Sequence, residues 1–437
     1  MKRTTLGLAV AMATFGGMGQ TALAAGFIED STARIDLRNF YTQYDYRDAH
    51  TPTAEEWGQA FMLYAQSGFT EGSVGFGVDA TYTLGIKLDA DNDAGRQIFP
   101  ADSDGSAVDD FSRGGLTGKM RAGKTVAQYG ILAPKLPILV ANNGRMLPQL
   151  FQGGMVTSND IDGLTLVGGQ IEKVVGRMSS NFTGLAAAGG TQDSNKFLFA
   201  GGDYKGIKDL TLQYYFANLE DYYKQHFLGA LHSLPVGPGV LKTDLRYFNT
   251  SSDGKNADGA AGYLVSTNGS GNDGELDNNL WSAMFTYGLN GHAFSLGYQQ
   301  VSEDSIFTQI NQGSVLNGDG RSEGAGGTST YVITDSLVNS LTYAGERTVM
   351  GRYAYDFSAA GVPGLTASLT YLKGDNIKTA VGSDREEQER DIMVTYTVQD
   401  GAAKGLGLNW FYGSMRSDVM GDVDHHRVFV TYSLPIW

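Results

Sequence analysis

The side chains able to do covalent or metal chemistry are few. There is no cysteine, so a thiol nucleophile, a thiolate metal site and a disulfide are all excluded. The six histidines are His50, His226, His232, His292, His425 and His426. His425 and His426 stand beside Asp422 and Asp424 in a polar stretch read as an outer loop, where the group either binds a metal or is simply solvated. Asp89-Ala90-Asp91-Asn92-Asp93 has the alternating oxygens of a calcium loop but lacks its glycine and terminal glutamate. No serine–histidine–acid set and no catalytic carboxylate pair stands out. The reading is therefore not an enzyme, with no metal and no cofactor.

Arginine carries the pattern instead. Ala33, Ile35 and Leu37 alternate with Arg34, Asp36 and Arg38; Leu241, Leu245 and Tyr247 alternate with Lys242, Asp244 and Arg246. Met350 and Arg352 share one parity, and Arg427 falls between the apolar positions of the last run. In an extended chain alternate residues share a face, so these charges lie opposite the greasy side. A row of guanidinium groups can pass a carboxylate along by bidentate contacts. The other reading is that each arginine pairs with an acidic neighbour and only fixes the wall.

What positions such a row is a set of long strands. From Val74 to Leu88 every second residue is apolar, and the set between them is small, polar or charged. Such a stretch spans roughly 50 Å, which suits a tilted strand crossing a membrane and continuing beyond it. The same period recurs in 281–298, 349–371, 392–398, 406–412 and 428–434. Short turns alternate with long polar connections near 44–56, 90–111, 130–153, 176–195, 220–230, 249–278, 302–344, 374–388 and 414–426. Nine long and eight short connections require eighteen strands. The predicted fold is all-β, an 18-stranded antiparallel transmembrane β-barrel whose lumen is too wide for side chains alone to fill. The composition agrees: 437 residues with 60 Gly and 23 Tyr suit many strands and tight turns. A net charge of −15 argues against nucleic acid as partner.

Lys2 and Arg3, the apolar run after them and Ala22-Leu23-Ala24 read as a signal peptide over 1–25, leaving 26–437 as a single barrel domain. One segment breaks the barrel pattern. Tyr129–Gly154 holds Pro134, Pro137 and Pro148 and is too apolar for an outer loop. Proline cannot donate to a ladder, so the part near 130–153 is read as folding inward to narrow the pore, or else packing over the rim.

GFIEDSTARIDLRNFY at the start, PKLPIL, NNGRMLPQLFQGG, DGLTLVGGQ, AGER, RYAYDFSAAGVPGLT, KGDNI and the ending VTYSLPIW resemble the OprD family of outer-membrane channels. The resemblance implies a substrate-selective porin for small carboxylate-bearing nutrients such as amino acids or aromatic acids. It also implies a third outer loop in the lumen and a basic wall facing acidic and tyrosine groups. On it, Arg145 points into the constriction, Lys135, between two prolines, instead packs or snorkels at the rim, and Tyr331 and Asp335 supply eyelet groups. Arg38, Arg246, Arg352, Arg390 and Arg427 make the row. The chain departs from the family where Asn409-Trp410-Phe411 replaces a common Arg-Trp-Arg and where Thr370 replaces an arginine. That thins the basic wall and favours a larger or more apolar solute. The implied partners are a small-molecule solute, outer-membrane lipid and lipopolysaccharide, and the barrel-assembly machinery, with the porin a monomer or trimer. A structural or adhesive barrel with a plugged lumen, or a barrel enzyme, are the alternatives.

Overall fold

The computed structural model describes residues 26–47, 51–91, 97–265, 274–313, 315–316, 322–323, 327–379 and 382–437. The expected signal peptide, His50, Asn92 and Asp93 lie outside the described residues. Eighteen strands form the wall. They are β1 (Thr32–Tyr46), β2 (Ala54–Gln66), β3 (Val74–Ala90), β4 (Asp110–Ala122), β5 (Thr125–Leu132), β6 (Leu150–Ile161), β7 (Leu164–Val175), β8 (Phe197–Ile207) and β9 (Leu210–Leu219). β10 (Tyr223–Val236), β11 (Gly239–Ser252), β12 (Asn278–Leu289), β13 (His292–Val301), β14 (Arg347–Asp356), β15 (Leu365–Thr379), β16 (Gly382–Thr397), β17 (Gly407–Ser417) and β18 (Val423–Pro435) follow.

Each strand pairs antiparallel with its chain neighbours. The first strand closes the circle by pairing with the second and the last, so Arg38 lies opposite both Ala60 and Thr431. Closure leaves no open edge, which a sheet in lipid requires. Val74, Phe76, Val78, Tyr82 and Leu88 of β3 are exposed on the outside, whereas Asp79 and Thr83 are buried inward. Asn290 and Gly291 join β12 to β13 with φ of 48° and 83°, the two positive values of a type I′ hairpin.

Three connections differ from the sequence reading. The stretch 220–230 is a tight turn followed by β10, 374–388 is mostly the upper parts of β15 and β16, and 414–426 shrinks to 418–422. These strand ends mix polar residues into both faces, with apolar side chains such as Phe227, Ile377, Met415 and Val423 turned inward, so they lack the outward greasy alternation that marks a membrane strand. His425 and His426 accordingly belong to β18 rather than to a loop. His425 is buried inward, and His426 stacks on Tyr412 at 4.6 Å.

A charge on the lipid side should be far more costly than one in the lumen. Val78→Arg is expected to block assembly or cost roughly 2–4 kcal/mol, whereas Thr81→Arg on the inner face should fold. Heat-modifiable gel migration reads both, and equal folding of the two variants would contradict the assignment of faces.

Candidate functional site

The wall breaks after Leu132 and resumes at Leu150, and the chain between them enters the barrel. Lys135–Leu136 and Leu139–Val140 make a miniature hairpin. Its apolar residues bind two separate patches of inner wall. Ile138 and Leu139 pack with Phe151, Ile171, Phe197 and Phe227. Met146 and Leu147 pack with Phe40, Met62, Phe99, Phe111 and Phe429. Gly58 and Gly85 make the second seat, since a β-carbon at either would collide with Met146. Lys135 itself is exposed.

Two further loops lock onto this one. Leu185–Ala187 of loop 176–196 pairs with Ile310–Gln312 of loop 302–346. Val140 bridges to Ser329. The Gln312 carboxamide accepts from Gly176 N at 2.8 Å and donates to Asn181 O at 2.8 Å. The lumen is therefore narrowed by three interlocked loops.

Buried charges on the wall hold them. Arg38, 7% exposed, donates to Asn143 Oδ1 at 3.1 Å, Arg145 O at 2.5 Å and Met146 O at 3.4 Å. Arg113 donates to Pro148 O at 2.8 Å and Ser179 O at 2.9 Å. On the other side of the first strand, along the last strands of the wall, Glu389 accepts from Val338 N at 2.7 Å and Asn339 N at 3.1 Å. Arg427 donates to Leu337 O, and its Nε to His425 Nε2 at 3.2 Å.

Three guanidinium groups converge where the loops meet: Arg145, Arg177 and Arg427. A β-carbon on Gly144 would lie 3.8 Å from Arg427 Nη1, which sets Arg145 beside the last strand. Burial pushes the Arg145 guanidinium down to about 10. Burial, and then the neighbouring Arg145, push Arg177 down to about 9, with Asp335 acting in the opposite sense. A guanidinium is a strong enough base to keep its charge at neutral pH through such shifts. Among the described residues none of the three is in an ion pair with a carboxylate. This is a concentrated positive site in a chain of net charge −15, with no carboxylate in direct contact but with Glu56, Asp335, Glu389 and Asp391 acting on it from further away.

The other sequence candidates are distributed around it. Arg246 is paired with Asp244 at 2.5 Å, lies 3.9 Å from the Tyr331 ring centre and donates to Tyr331 O at 3.0 Å. Arg352 donates to Thr370 at 2.9 Å. Asp335 accepts from Ser340 Oγ at 3.0 Å, and burial pushes its carboxyl up to about 6. Asn409 faces inward beside Phe429 in register. Phe411 packs on Phe429 at 5.3 Å, and Phe429 on Phe40 at 4.5 Å. Arg390 is a correction. It lies across from exposed Tyr371, with its guanidinium 5.9 Å from that ring, and so faces outward. The inward residues of β16 are the buried Glu387, Glu389 and Asp391, one parity away. Lys373, of Tyr371's parity, also faces out and pairs with Glu386 at 2.9 Å.

Sequence reasoning missed Arg113 and Arg177. The outer set of β4, with Ser112, Gly114 and Gly118, is too weakly apolar to reveal its parity. Arg177 is the one charged residue between Lys173 and Asp193, the same signal of an isolated arginine in an apolar loop that marked Arg145.

A closed 18-stranded barrel with a charged neck defines an outer-membrane channel. The chain belongs to the OprD family: residues 25–436 match the family described as outer membrane porin, OprD family. It is 36% identical to the porin-like protein GalP of Pseudomonas putida, over 99% of each chain. The crystal structure of Pseudomonas aeruginosa OccK8 (OprE) is similar to it with a TM-score of 0.85 and 50% identity, covering 94% of this chain and all of that one. The structure of Pseudomonas aeruginosa OpdK with vanillate has a TM-score of 0.83 and 33% identity over 94% of this chain and 100% of that one. The protein is thus a substrate-specific porin of the outer membrane.

Asp335 makes the neck responsive to pH. Above about 6 its carboxylate offsets part of the charge on Arg177; below, it is neutral and that offset is lost. Anion-over-cation permeability should therefore rise between pH 7.5 and pH 5, and Asp335→Asn should show the high value at both. Reversal potentials in a salt gradient measure this, and a flat wild-type profile would contradict it.

Proposed function

We propose that the channel passes small carboxylate-bearing nutrients, and aromatic acids in preference to compact ones. The observation that carries this reading is the convergence of Arg145, Arg177 and Arg427 with no carboxylate partner among the described residues. Guanidinium groups held apart from carboxylates can take a solute carboxylate with bidentate bonds. In a partly dehydrated neck the attraction at about 4 Å amounts to several kcal/mol, against about 1 kcal/mol in water.

Aromatic acids fit because of what adjoins the charge. Phe411 is the cross-strand neighbour of Arg427, so a carboxylate held at the more open Arg145 and Arg177 leaves a solute ring near a phenyl face. The likeness to OpdK, whose structure holds vanillate, supports the same class of solute.

Arg145→Ala and Arg177→Ala should each lower benzoate uptake into proteoliposomes about tenfold or more, a loss of roughly 1.4 kcal/mol from one charged contact. High salt should shrink the difference. Phe411→Ala should reduce benzoate uptake more than acetate uptake. If both arginine variants transport benzoate like the wild type, the solute does not use this cluster and a neutral solute becomes the better reading.

A further inference from the structure

Arg113 is 4% exposed and therefore out of reach of a passing solute. It nonetheless spends both its Nη groups on two loops. Nη2 donates to Pro148 O at 2.8 Å, three residues after Arg145. Nη1 donates to Ser179 O at 2.9 Å, and both nitrogens lie 3.3 Å from the carbonyl of Arg177 itself. The guanidinium carbon lies 5.3 Å from the Phe111 ring centre, and Thr83 Oγ1 donates to the Arg113 carbonyl at 3.2 Å. One planar group on a rigid strand thus ties loop 133–149 to loop 176–196.

We propose that Arg113 is a positioning residue that fixes the separation of Arg145 and Arg177 by clamping together the loops that carry them. The need for a clamp is electrostatic. Arg145 and Arg177 are half-buried like charges and repel, which drives their loops apart. Arg38 holds the Arg145 carbonyl from another wall strand, so the first loop is pinned at two points. The second receives its wall arginine contact at Arg177 and Ser179 from Arg113. Lysine cannot replace this arrangement, because a single ammonium lacks the fixed planar fork that reaches both loops. Selectivity as a readout rests on the function proposed above, whereas loop separation does not.

The absence of native cysteine lets spin labels and cross-links be placed without background. With labels at Lys135→Cys and Ser180→Cys, Arg113→Gln should lengthen and broaden the interloop distance distribution measured by pulsed electron resonance. Arg113→Lys should do the same to a lesser degree and serves if Arg113→Gln fails to give a heat-modifiable barrel. An unchanged distribution in the folded variant overturns the proposal whatever the solute. Anion-over-cation permeability should fall roughly threefold or more, as a displaced charge loses part of its attraction. Bridging Pro148→Cys to Ser179→Cys with a short bis-thiosulfonate reagent in the Arg113→Gln background should restore the wild-type ratio. A bridged variant that stays poorly selective overturns the proposal, since Arg113 would then act on the solute itself. If instead Arg145→Ala leaves selectivity unchanged while the distance distribution still broadens, the proposed solute class fails and the clamp stands.

Discussion

A bilayer offers a backbone no hydrogen-bond partners, and the rest of this structure follows from that constraint. Every strand must be paired on both edges, so the sheet closes on itself through β1 and β18. Eighteen strands enclose a lumen that wall side chains cannot fill. A hole of that size discriminates poorly, so selectivity needs material inside. That material has to be loop, because every strand is already committed to the wall.

Loops brought inside a barrel recreate the original problem, since their N–H and C=O groups leave bulk water. The wall answers with buried charges aimed at loop backbone. Glu56 accepts from the amides of Gln97, Ile98 and Phe99, with distances between 2.7 and 3.1 Å. Glu389 takes two amides of loop 302–346, while Arg38 and Arg113 serve carbonyls of the constriction loop. Hydrogen bonds to ionised groups are shorter and stronger than neutral ones, so a few of them can fix a long irregular segment. The same charges that look like a conduction row in the sequence are in part the fastenings of the loops.

This division explains what was legible. The alternation from Val74 to Leu88 and the prolines at 134, 137 and 148 are local signals, and local chemistry decides strand and non-strand. The interlocking of three loops is not local; nothing in Gln312 announces that it will meet Gly176. Extramembrane strand ends were hidden because polar residues run through both their faces and their apolar ones, such as Ile377 and Met415, point inward. Arg390 shows the limit of a resemblance. It shares parity with Ile392 and Val394, which places it outside, yet a family-wide row of arginines argues it inward. Arg38 shows the limit of parity. Its face was readable, but its carbonyl partners lie more than a hundred residues away.

Where the resemblance leads one to expect arginine, this wall carries Asn409, Phe411 and Thr370, and that difference bears on how the proposed channel would work. An evenly charged row lets an anion step between sites of similar depth. Here the positive charge without a direct carboxylate partner is gathered at Arg145, Arg177 and Arg427, and the adjoining wall is the Phe40–Phe429–Phe411 cluster. On the proposed reading that makes one deep site beside an aromatic surface. Conduction requires escape as well as entry, so a single deep site needs something to weaken it. Asp335 supplies that opposition from loop 302–346, close enough to act on Arg177. On that reading, the balance between the guanidinium cluster and the acidic groups that act on it, Asp335 from the loop and Glu56, Glu389 and Asp391 from the wall, sets the residence time of the solute.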